Sequence, residues 1–289
     1  MRYIGNIYRP PSEAYSLIVQ MTVGCSHNRC AFCNMYRDKH FFVRPVEDVL
    51  EDFAWCRQRY THIKRIFLAD GDALMASTAD LMRILDYIKK EIPECERVAC
   101  YASPKSIRLK SDEELLMLRN ANLRMMYMGL ESGDNDILRR MRKGCSAEQM
   151  VQAVQRIRAA GIKISVTAIS GLGGKENWQS HAKATGEALS AMKADYVALL
   201  TLLIEPGTDV VDWVTDGSLT LLDPQEILEE TRELLLHTDS EGSVFRMNHA
   251  SNYLSLRGTL NRDKEAMLQK LQAGMDGHLL LKHEGFRAF

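Results

Sequence analysis

The stretch GCSHNRCAFCNMY, from Gly24 to Tyr36, is the strongest indication of the fold and chemistry of this chain. It contains Cys25, Cys30 and Cys33, three of the seven cysteines, at the spacing C-x4-C-x2-C. The apolar segment before it, residues 15–21, predicts a short strand, so the cysteines lie on a loop that leaves the strand's C-terminal end. Three thiolates can hold three irons of a 4Fe–4S cubane and leave the fourth iron open to a ligand. The loop therefore predicts a cluster that binds a small molecule rather than one that only carries electrons.

Two other interpretations of the loop are open. A structural zinc site requires four ligands, usually in two separated pairs. His27 could supply a fourth ligand in a zinc knuckle, but no second C-x2-C pair follows in the sequence. The three thiols could also be ordinary core side chains, since cysteine is often buried. We favour the iron–sulfur cluster, with Cys25, Cys30 and Cys33 as its ligands.

The composition is typical of a soluble globular protein, because 46% of the 289 residues are hydrophobic and 26% are charged. The formal net charge of −1 provides no basic footprint for nucleic acid. No apolar run reaches the ~18 residues of a membrane span, and the N-terminus lacks the apolar core of a signal peptide. Seven cysteines, an odd number, favour a reducing compartment over a disulfide framework. We expect a cytoplasmic protein that binds neither membranes nor nucleic acid.

Six strand–helix units follow one another along the chain. The predicted strands cover residues 15–21, 63–69, 98–101, 125–130, 164–169 and 196–204. The clearest predicted helices cover residues 77–91, 146–161, 178–192 and 224–236, and a further strand (244–247) and helix (263–273) follow. Ser111, with Glu114 three residues later, predicts a capping box at the start of another helix. This alternation predicts an α/β fold, a partial (βα)6 TIM-like parallel barrel with a C-terminal extension. We expect a single domain over residues 1–289, with its core at about 14–238 and the extension at about 239–289.

Two of the predicted strand ends carry carboxylates in distinctive surroundings. The second strand ends in Asp70-Gly71-Asp72, where a glycine permits close approach to a ligand and a carboxylate can hold an ammonium group. The plainer interpretation is a turn with a helix-capping aspartate. The fourth strand ends in GLESGD, residues 129–134, and its Glu131 would be costly to bury without polar partners such as ribose hydroxyls. Both motifs predict ligand binding at the same rim of the barrel.

The cysteine loop resembles the cluster motif of the radical S-adenosylmethionine (radical SAM) superfamily, which usually reads C-x3-C-x2-C with an aromatic residue before the last cysteine. Phe32 matches that aromatic residue, whereas the first gap here is one residue longer. Residues 70–72 stand where the superfamily usually has Gly-Gly-Glu. Residues 129–134 resemble the strand motif of anaerobic coproporphyrinogen oxidases and radical methylthiotransferases. The resemblance covers roughly residues 14–210.

This resemblance implies a role for each motif in binding S-adenosylmethionine. Gly71 and Asp72 would contact the amino group of the methionine moiety, and Glu131 would bind the ribose. A basic residue after the fourth strand would meet the methionine carboxylate. Arg139, Arg140, Arg142 and Lys143 compete for this role, and we favour Arg142 or Lys143. In the superfamily the end of the fifth strand lines the adenine. The remaining candidate cofactor-binding residues, on the cysteine loop and at two strand ends, are Phe32, Ser103, Ile169, Ser170 and Gly171.

The resemblance also implies an activity. A reduced 4Fe–4S cluster would split S-adenosylmethionine into methionine and a 5′-deoxyadenosyl radical, which would take a hydrogen atom from a small-molecule substrate, by analogy a tetrapyrrole-like one. The expected protein partner is an electron donor of the flavodoxin or ferredoxin type. A radical methyl or methylthio transferase and a non-catalytic iron–sulfur or zinc-binding module are the alternatives. The polar segment Asn248–Tyr253 could hold the substrate or tie down a C-terminal lid.

Overall fold

The computed structural model describes residues 1–288, and this part of the chain divides into two compact units. The first unit consists of residues 1–28, 35–128 and 156–164. The second consists of residues 29–34, 129–155 and the chain from residue 165 onward. The predicted organisation as a single domain stays a prediction.

The first unit is built from parallel strands and amphipathic helices. Its strands are β1 (Leu17–Gln20), β2 (Thr22–Val23), β3 (Phe42–Val43), β4 (Arg65–Ala69), β5 (Arg97–Tyr101) and the first part of β6 (Leu123–Glu131). Its helices are α1 (Val46–Arg57), α2 (Thr78–Glu91), α3 (Pro104–Arg108) and α4 (Asp112–Asn120). β1 pairs with β4, β4 with β5 and β5 with β6, all in parallel. The central strand β4 is almost wholly buried and apolar, as expected for a parallel strand covered on both faces.

The second unit continues the same alternation. Its strands are the end of β6, most of β7 (Lys163–Ser170), β8 (Tyr196–Thr201), β9 (Val244–Met247) and β10 (Leu256–Thr259). Its helices are α5 (Asn135–Arg140), most of α6 (Ala147–Ala159), α7 (Gly174–Met192), α8 (Asp209–Thr215), α9 (Pro224–Leu236) and α10 (Lys264–Met275). β7, β8 and β9 are parallel, and β10 runs antiparallel to β9.

Local sequence signals explain where the helices begin. Ser111 accepts a hydrogen bond from the backbone N–H of Glu114, whose carboxylate accepts one from the N–H of Ser111. This reciprocal capping box is the one predicted from the sequence, and it starts α4. Asp223 caps α9 in the same way, with Pro224 at the first helical position, and the helix has the predicted bounds.

The strand order in the main sheet is β1-β4-β5-β6-β7-β8-β9-β10. The first six of these strands correspond to the six predicted ones, and β9 to the further strand predicted at residues 244–247. The prediction of an α/β fold with a mostly parallel sheet is confirmed. Among the described helices, none combines the length and apolar character needed to cross a membrane.

Five short elements were not predicted: α3, α8, β10, and the two-residue strands β2 and β3, which pair antiparallel with each other. The last two are too short to show a periodic pattern, and β10 contains Gly258. The sixth predicted strand was too long, since β8 ends at Thr201 rather than Ile204. The backbone N–H of Thr201 donates to the hydroxyl of Ser251 (3.2 Å).

Candidate active site

The loop that carries Cys25 begins directly after β2. Gly24 adopts a positive φ of 73°, a conformation that glycine accepts without a steric penalty. Its backbone N–H donates to Oδ2 of Asp70 at 3.1 Å, and its carbonyl accepts from the N–H of Gly71 at 3.1 Å. The segment after β4 therefore holds the backbone immediately before Cys25 at two points.

Asp70 anchors this part of the first unit. Its side chain is fully buried, and Oδ2 also accepts from Nζ of Lys39 (2.9 Å) and from Nε2 of Gln20 (2.8 Å). The Lys39 side chain is buried as well, so this is an internal ion pair. Lys39 follows the cysteine loop in sequence and Gly24 precedes Cys25, so one carboxylate holds both flanks of that loop.

Gly71 is required by close packing. A Cβ atom at this position would lie 2.9 Å from Cε2 of Tyr36 and 3.0 Å from Cβ of Cys25. The contact with Tyr36 is shorter than real Cβ atoms show, and the contact with Cys25 is tighter than nine in ten of them, so a larger residue would force Tyr36 or Cys25 to shift. The predicted glycine motif thus packs against the first predicted cluster ligand.

Asp72 is fully buried at the next position. Its Oδ2 accepts hydrogen bonds from the hydroxyls of Ser26 (2.5 Å) and Ser103 (2.6 Å), while Oδ1 has no hydrogen-bond partner among residues 1–288. Burial raises the pKa of the Asp72 carboxyl, and the hydrogen bonds from Ser103 and Ser26 oppose that shift. A buried carboxylate with an unused acceptor oxygen can receive a cationic donor.

Cys30 and Cys33 belong to the second unit, where the backbone around Ala31 is firmly attached. The N–H of Ala31 donates to the carbonyl of Met141 (2.9 Å), and its carbonyl accepts from the N–H of Val210 (3.3 Å). Ala31 is fully buried in an apolar cluster that includes Met141 and Val210. This attachment fixes the chain between the two cysteines.

Glu131 ends β6 in an uncommon backbone conformation, with φ at +62°. Its Oε1 lies 2.7 Å from Nζ of Lys143, and both side chains are largely buried. The carboxylate occupies the space beside Gly129, where a Cβ atom would lie 1.8 Å from Oε1. Gly129 therefore makes room for the carboxylate of Glu131.

Lys143 connects this pair electrostatically with the cysteine loop. Burial by itself would lower the pKa of the Lys143 ammonium, but the negative charges of Glu131 and Cys30 raise it above its ordinary value. Arg142 differs, because its guanidinium is about half exposed and pairs with Asp209 at 2.9 Å. Of the two residues predicted to meet the methionine carboxylate, Lys143 has the buried position beside Glu131 and Cys30.

The predicted adenine-binding residues are also in the second unit. Phe32 and Ile169 pack against the same apolar cluster as Ala31. Ser170 donates its hydroxyl hydrogen bond to Oε2 of Glu230, which also accepts from the backbone N–H of Gly171 at 2.8 Å. The end of β7 is thus held by a buried carboxylate that the sequence did not single out.

Comparison with known proteins identifies the chain. The radical SAM superfamily profile matches residues 19–185, which include the cysteine loop, Asp72, Glu131 and the end of β7. The chain belongs to the radical SAM superfamily. Members of this superfamily are enzymes that use a 4Fe–4S cluster and S-adenosylmethionine together with a reductant.

Similar proteins with curated names include the heme chaperone HemW of Bacillus subtilis (strain 168), 22% identical over 73% of this chain and 56% of its own length. A tRNA-2-methylthio-N(6)-dimethylallyladenosine synthase of Chlorobium phaeobacteroides (strain BS1) is 26% identical over 68% of this chain and 44% of its own length. The chain thus spans about half the length of these relatives.

Similar solved structures include the radical S-adenosylmethionine methyltransferase TsrM of Kitasatospora setae, with cobalamin and a [4Fe-4S] cluster bound. It has a TM-score of 0.58, 18% identity, and coverage of 70% of this chain and 39% of that one. The coproporphyrinogen III oxidase HemN of Escherichia coli has a TM-score of 0.54 and 16% identity, covering 76% and 52%. At these identities the likeness demonstrates the fold.

The residues of this radical SAM chain fit the superfamily's two cofactors. Three thiols lie on one short loop, and Oδ1 of the buried Asp72 has no hydrogen-bond partner among residues 1–288. In the same described range no three His, Cys, Asp or Glu side chains are grouped closely enough to hold a metal ion. Joint ligation by Cys25, Cys30 and Cys33 therefore stays a prediction.

The other four cysteines have the properties of core or loop thiols. Burial raises the pKa of all of them, to about 11 for Cys95. These thiols are protonated at neutral pH, whereas the metal-binding form of cysteine is the thiolate. The four residues are Cys56, Cys95, Cys100 and Cys145.

The polar segment Asn248–Tyr253 is used internally. The amide of Asn252 donates to the carbonyl of Leu199 (2.9 Å), and its oxygen accepts from the hydroxyl of Thr201 (2.9 Å). Ser251 and Asn252 are buried. The sequence left two interpretations open, binding of a substrate or attachment of a C-terminal lid, and these internal contacts favour a structural role.

Sequence reasoning missed several residues that shape the site. Lys39 and Ser26 bind the carboxylates of Asp70 and Asp72 from positions 31 and 46 residues away in the chain. The only available signal was their location within or next to the cysteine loop. Ser103 was predicted as a cofactor-binding residue, and its hydroxyl in fact donates to Asp72.

Proposed function

We propose that this protein binds a 4Fe–4S cluster through Cys25, Cys30 and Cys33 and cleaves S-adenosylmethionine reductively to start radical chemistry on a small molecule. The observation that carries the proposal is the buried, unused Oδ1 of Asp72, next to the glycine that packs against Cys25. Membership of the radical SAM superfamily supports it independently.

Asp72 is proposed to bind the amino group of the methionine moiety. The hydroxyls of Ser26 and Ser103 already fix Oδ2, so the orientation of Oδ1 is set before the ligand arrives. Preorganisation of this kind reduces the entropy lost on binding. An ammonium group would also compensate the burial that raises the pKa of Asp72.

Lys143 and Glu131 are proposed to bind the methionine carboxylate and the ribose hydroxyls. The ammonium of Lys143 has three donors, so it can keep its 2.7 Å contact with Glu131 while donating to a second carboxylate. Glu131 has further lone pairs available for hydroxyl groups. We place the adenine against Phe32 and the end of β7, residues 169–171.

A cluster held by Cys25, Cys30 and Cys33 would supply the electron for reductive cleavage of the C5′–S bond of S-adenosylmethionine. The electron comes from an external donor, proposed to be of the flavodoxin or ferredoxin type. Tetrapyrroles are the proposed substrate class, because HemW and HemN are among the similar proteins. The proposed location is the cytoplasm, where thiols stay reduced.

The test uses anaerobically reconstituted full-length protein with dithionite and S-adenosylmethionine but without substrate. We expect slow formation of 5′-deoxyadenosine and methionine, with a much lower yield for Asp72→Ala at equal iron content. Asp80→Ala is the matched control, since Asp80 also accepts from a serine hydroxyl but lies on α2, outside the site. Formation of S-adenosylhomocysteine instead would indicate methyl transfer, and neither product from a loaded, reduced cluster would contradict catalysis.

A further inference from the structure

A buried polar network in the second unit adjoins the proposed adenosine-binding residues. His181 on α7 is fully buried, and its Nε2 lies 3.0 Å from the carbonyl oxygen of Ile169. A carbonyl can only accept, so Nε2 carries the proton. Nδ1 then accepts from the hydroxyl of Ser132 at 2.8 Å. One imidazole thus joins the residue after Glu131 to the end of β7.

Glu230 on α9 holds the next part of β7. Its side chain is 1% exposed, and Oε2 accepts from the hydroxyl of Ser170 and from the N–H of Gly171. Burial raises the pKa of the Glu230 carboxyl, while the hydrogen bonds from Ser170 and from the N–H of Gly171 act to lower it. These contacts offset part of the cost of burying the carboxylate, whose Oε1 has no hydrogen-bond partner among residues 1–288.

The turn that follows Glu131 is packed directly on α7. A Cβ atom on Gly133 would lie 2.1 Å from the carbonyl oxygen of Ala184, so only glycine fits there. The N–H of Gly133 donates to the hydroxyl of Thr185 at 2.9 Å. Because His181 is one helical turn before Thr185, the same face of α7 holds this turn and reaches β7.

We propose that His181 and Glu230 are positioning residues, which hold the two strand ends that bind the adenosine moiety of S-adenosylmethionine. The inference rests on the proposed function of Glu131 and of residues 169–171. The imidazole makes two hydrogen bonds, called its two arms below. The Nδ1 arm, to Ser132, positions the strand end that carries Glu131, and the Nε2 arm positions the carbonyl of Ile169. Loss of the first arm disturbs ribose binding, and loss of the second disturbs adenine binding.

Two substitutions separate the arms. The side-chain amide of His181→Gln can place a donor near the position of Nε2 but provides no acceptor for Ser132. His181→Asn can place an acceptor near the position of Nδ1 but does not reach Ile169. The probes are 5′-deoxyadenosine and 2′,3′,5′-trideoxyadenosine, which lacks both ribose hydroxyls, and their affinities are measured by calorimetry on the reconstituted full-length protein.

We expect His181→Asn to lower the affinity for both nucleosides about three- to tenfold, the effect of losing one hydrogen bond. His181→Gln should lower the affinity for 5′-deoxyadenosine by a similar factor and leave the affinity for the trideoxy compound unchanged. Glu230→Gln should lower both affinities. The controls are His237→Gln and Glu233→Gln, which alter a histidine–glutamate pair at the C-terminal end of α9, outside the site, and should change neither affinity.

Unchanged affinities in all three variants, or equal losses for both nucleosides in His181→Gln, would overturn the proposal. If His181→Gln does not fold, Ser132→Ala removes the same arm with the same expectation. Cluster absorption without nucleoside should stay at the wild-type level throughout. Failure of fully loaded wild-type protein to bind either nucleoside would instead refute the proposed function on which the inference rests.

Discussion

Asp72→Asn should weaken S-adenosylmethionine binding and, at the same time, stabilise the protein that has no S-adenosylmethionine bound. The substitution keeps the shape of the side chain and removes its charge. If Oδ1 binds the amino group of the methionine moiety, one charge-assisted hydrogen bond worth about 1.5–3 kcal/mol is lost. This corresponds to a roughly 10- to 150-fold increase in Kd.

The effect on stability has the opposite sign. The pKa of Asp72 is raised in the folded protein because the carboxylate is buried, so the ionised form is less favourable there than in the unfolded chain. This penalty is fully present above the raised pKa and disappears as the pH falls to the ordinary value. Asp72→Asn removes it, so the gain in Tm should be largest at neutral pH and smaller in acid.

The measurements are calorimetry with S-adenosylmethionine and thermal unfolding without it, each at two pH values. Asp80→Asn is the control, because Asp80 accepts from Ser77 at the start of α2 and should affect stability alone. Equal affinity in Asp72→Asn would remove Asp72 from the binding site. A lower Tm at neutral pH would show that the carboxylate is compensated within the protein.

Three further predictions follow from the same contacts. Alanine at any of the three loop cysteines should abolish iron binding, whereas Cys56→Ala should retain about four irons per chain; equal iron in all variants would contradict the ligand assignment. Lys143→Met should raise the Kd for S-adenosylmethionine by about tenfold or more, and Arg142→Met by much less, since only Lys143 is buried beside Glu131; the reverse order by calorimetry would exchange their roles. Lys39→Met leaves Asp70 buried without its cation and should lower the free energy of unfolding by about 3–5 kcal/mol in urea titrations; an unchanged midpoint would show that the ion pair is not needed.

The elements predicted well from the sequence are those whose signals are local. α9 was predicted with its observed bounds, because its signals are local: Pro224 and the helical repeat of apolar residues lie within the helix, and its cap Asp223 directly precedes it. The capping box of Ser111 and Glu114 has the same character. The parallel sheet followed from the alternation of strands and helices.

The predicted site residues were found by motif, but their supporting contacts could not be. Lys39 reaches Asp70 across 31 residues, and His181 reaches Ser132 across 49. Nothing in the spacing of such residues marks them as neighbours, because the pairing depends on strand register and on which face of a helix is buried. Of the basic residues after β6, Arg142 and Lys143 could not be distinguished from the sequence, because what separates them is the burial of their side chains.

The site departs from ordinary folding preferences at the positions where a ligand is proposed to bind. Glu131 adopts a left-handed φ that costs a non-glycine residue about 1–2 kcal/mol. Glycine is needed at position 129, because a side chain there would overlap the carboxylate of Glu131. Asp72 is buried with one acceptor unused. Without these features the folded protein would be more stable. Each of them places an oxygen where a cationic or hydroxyl group of S-adenosylmethionine is expected to bind. The Asp72→Asn experiment therefore measures how much stability is lost in return for ligand affinity, because the gain in Tm and the loss in affinity should arise from the same carboxylate.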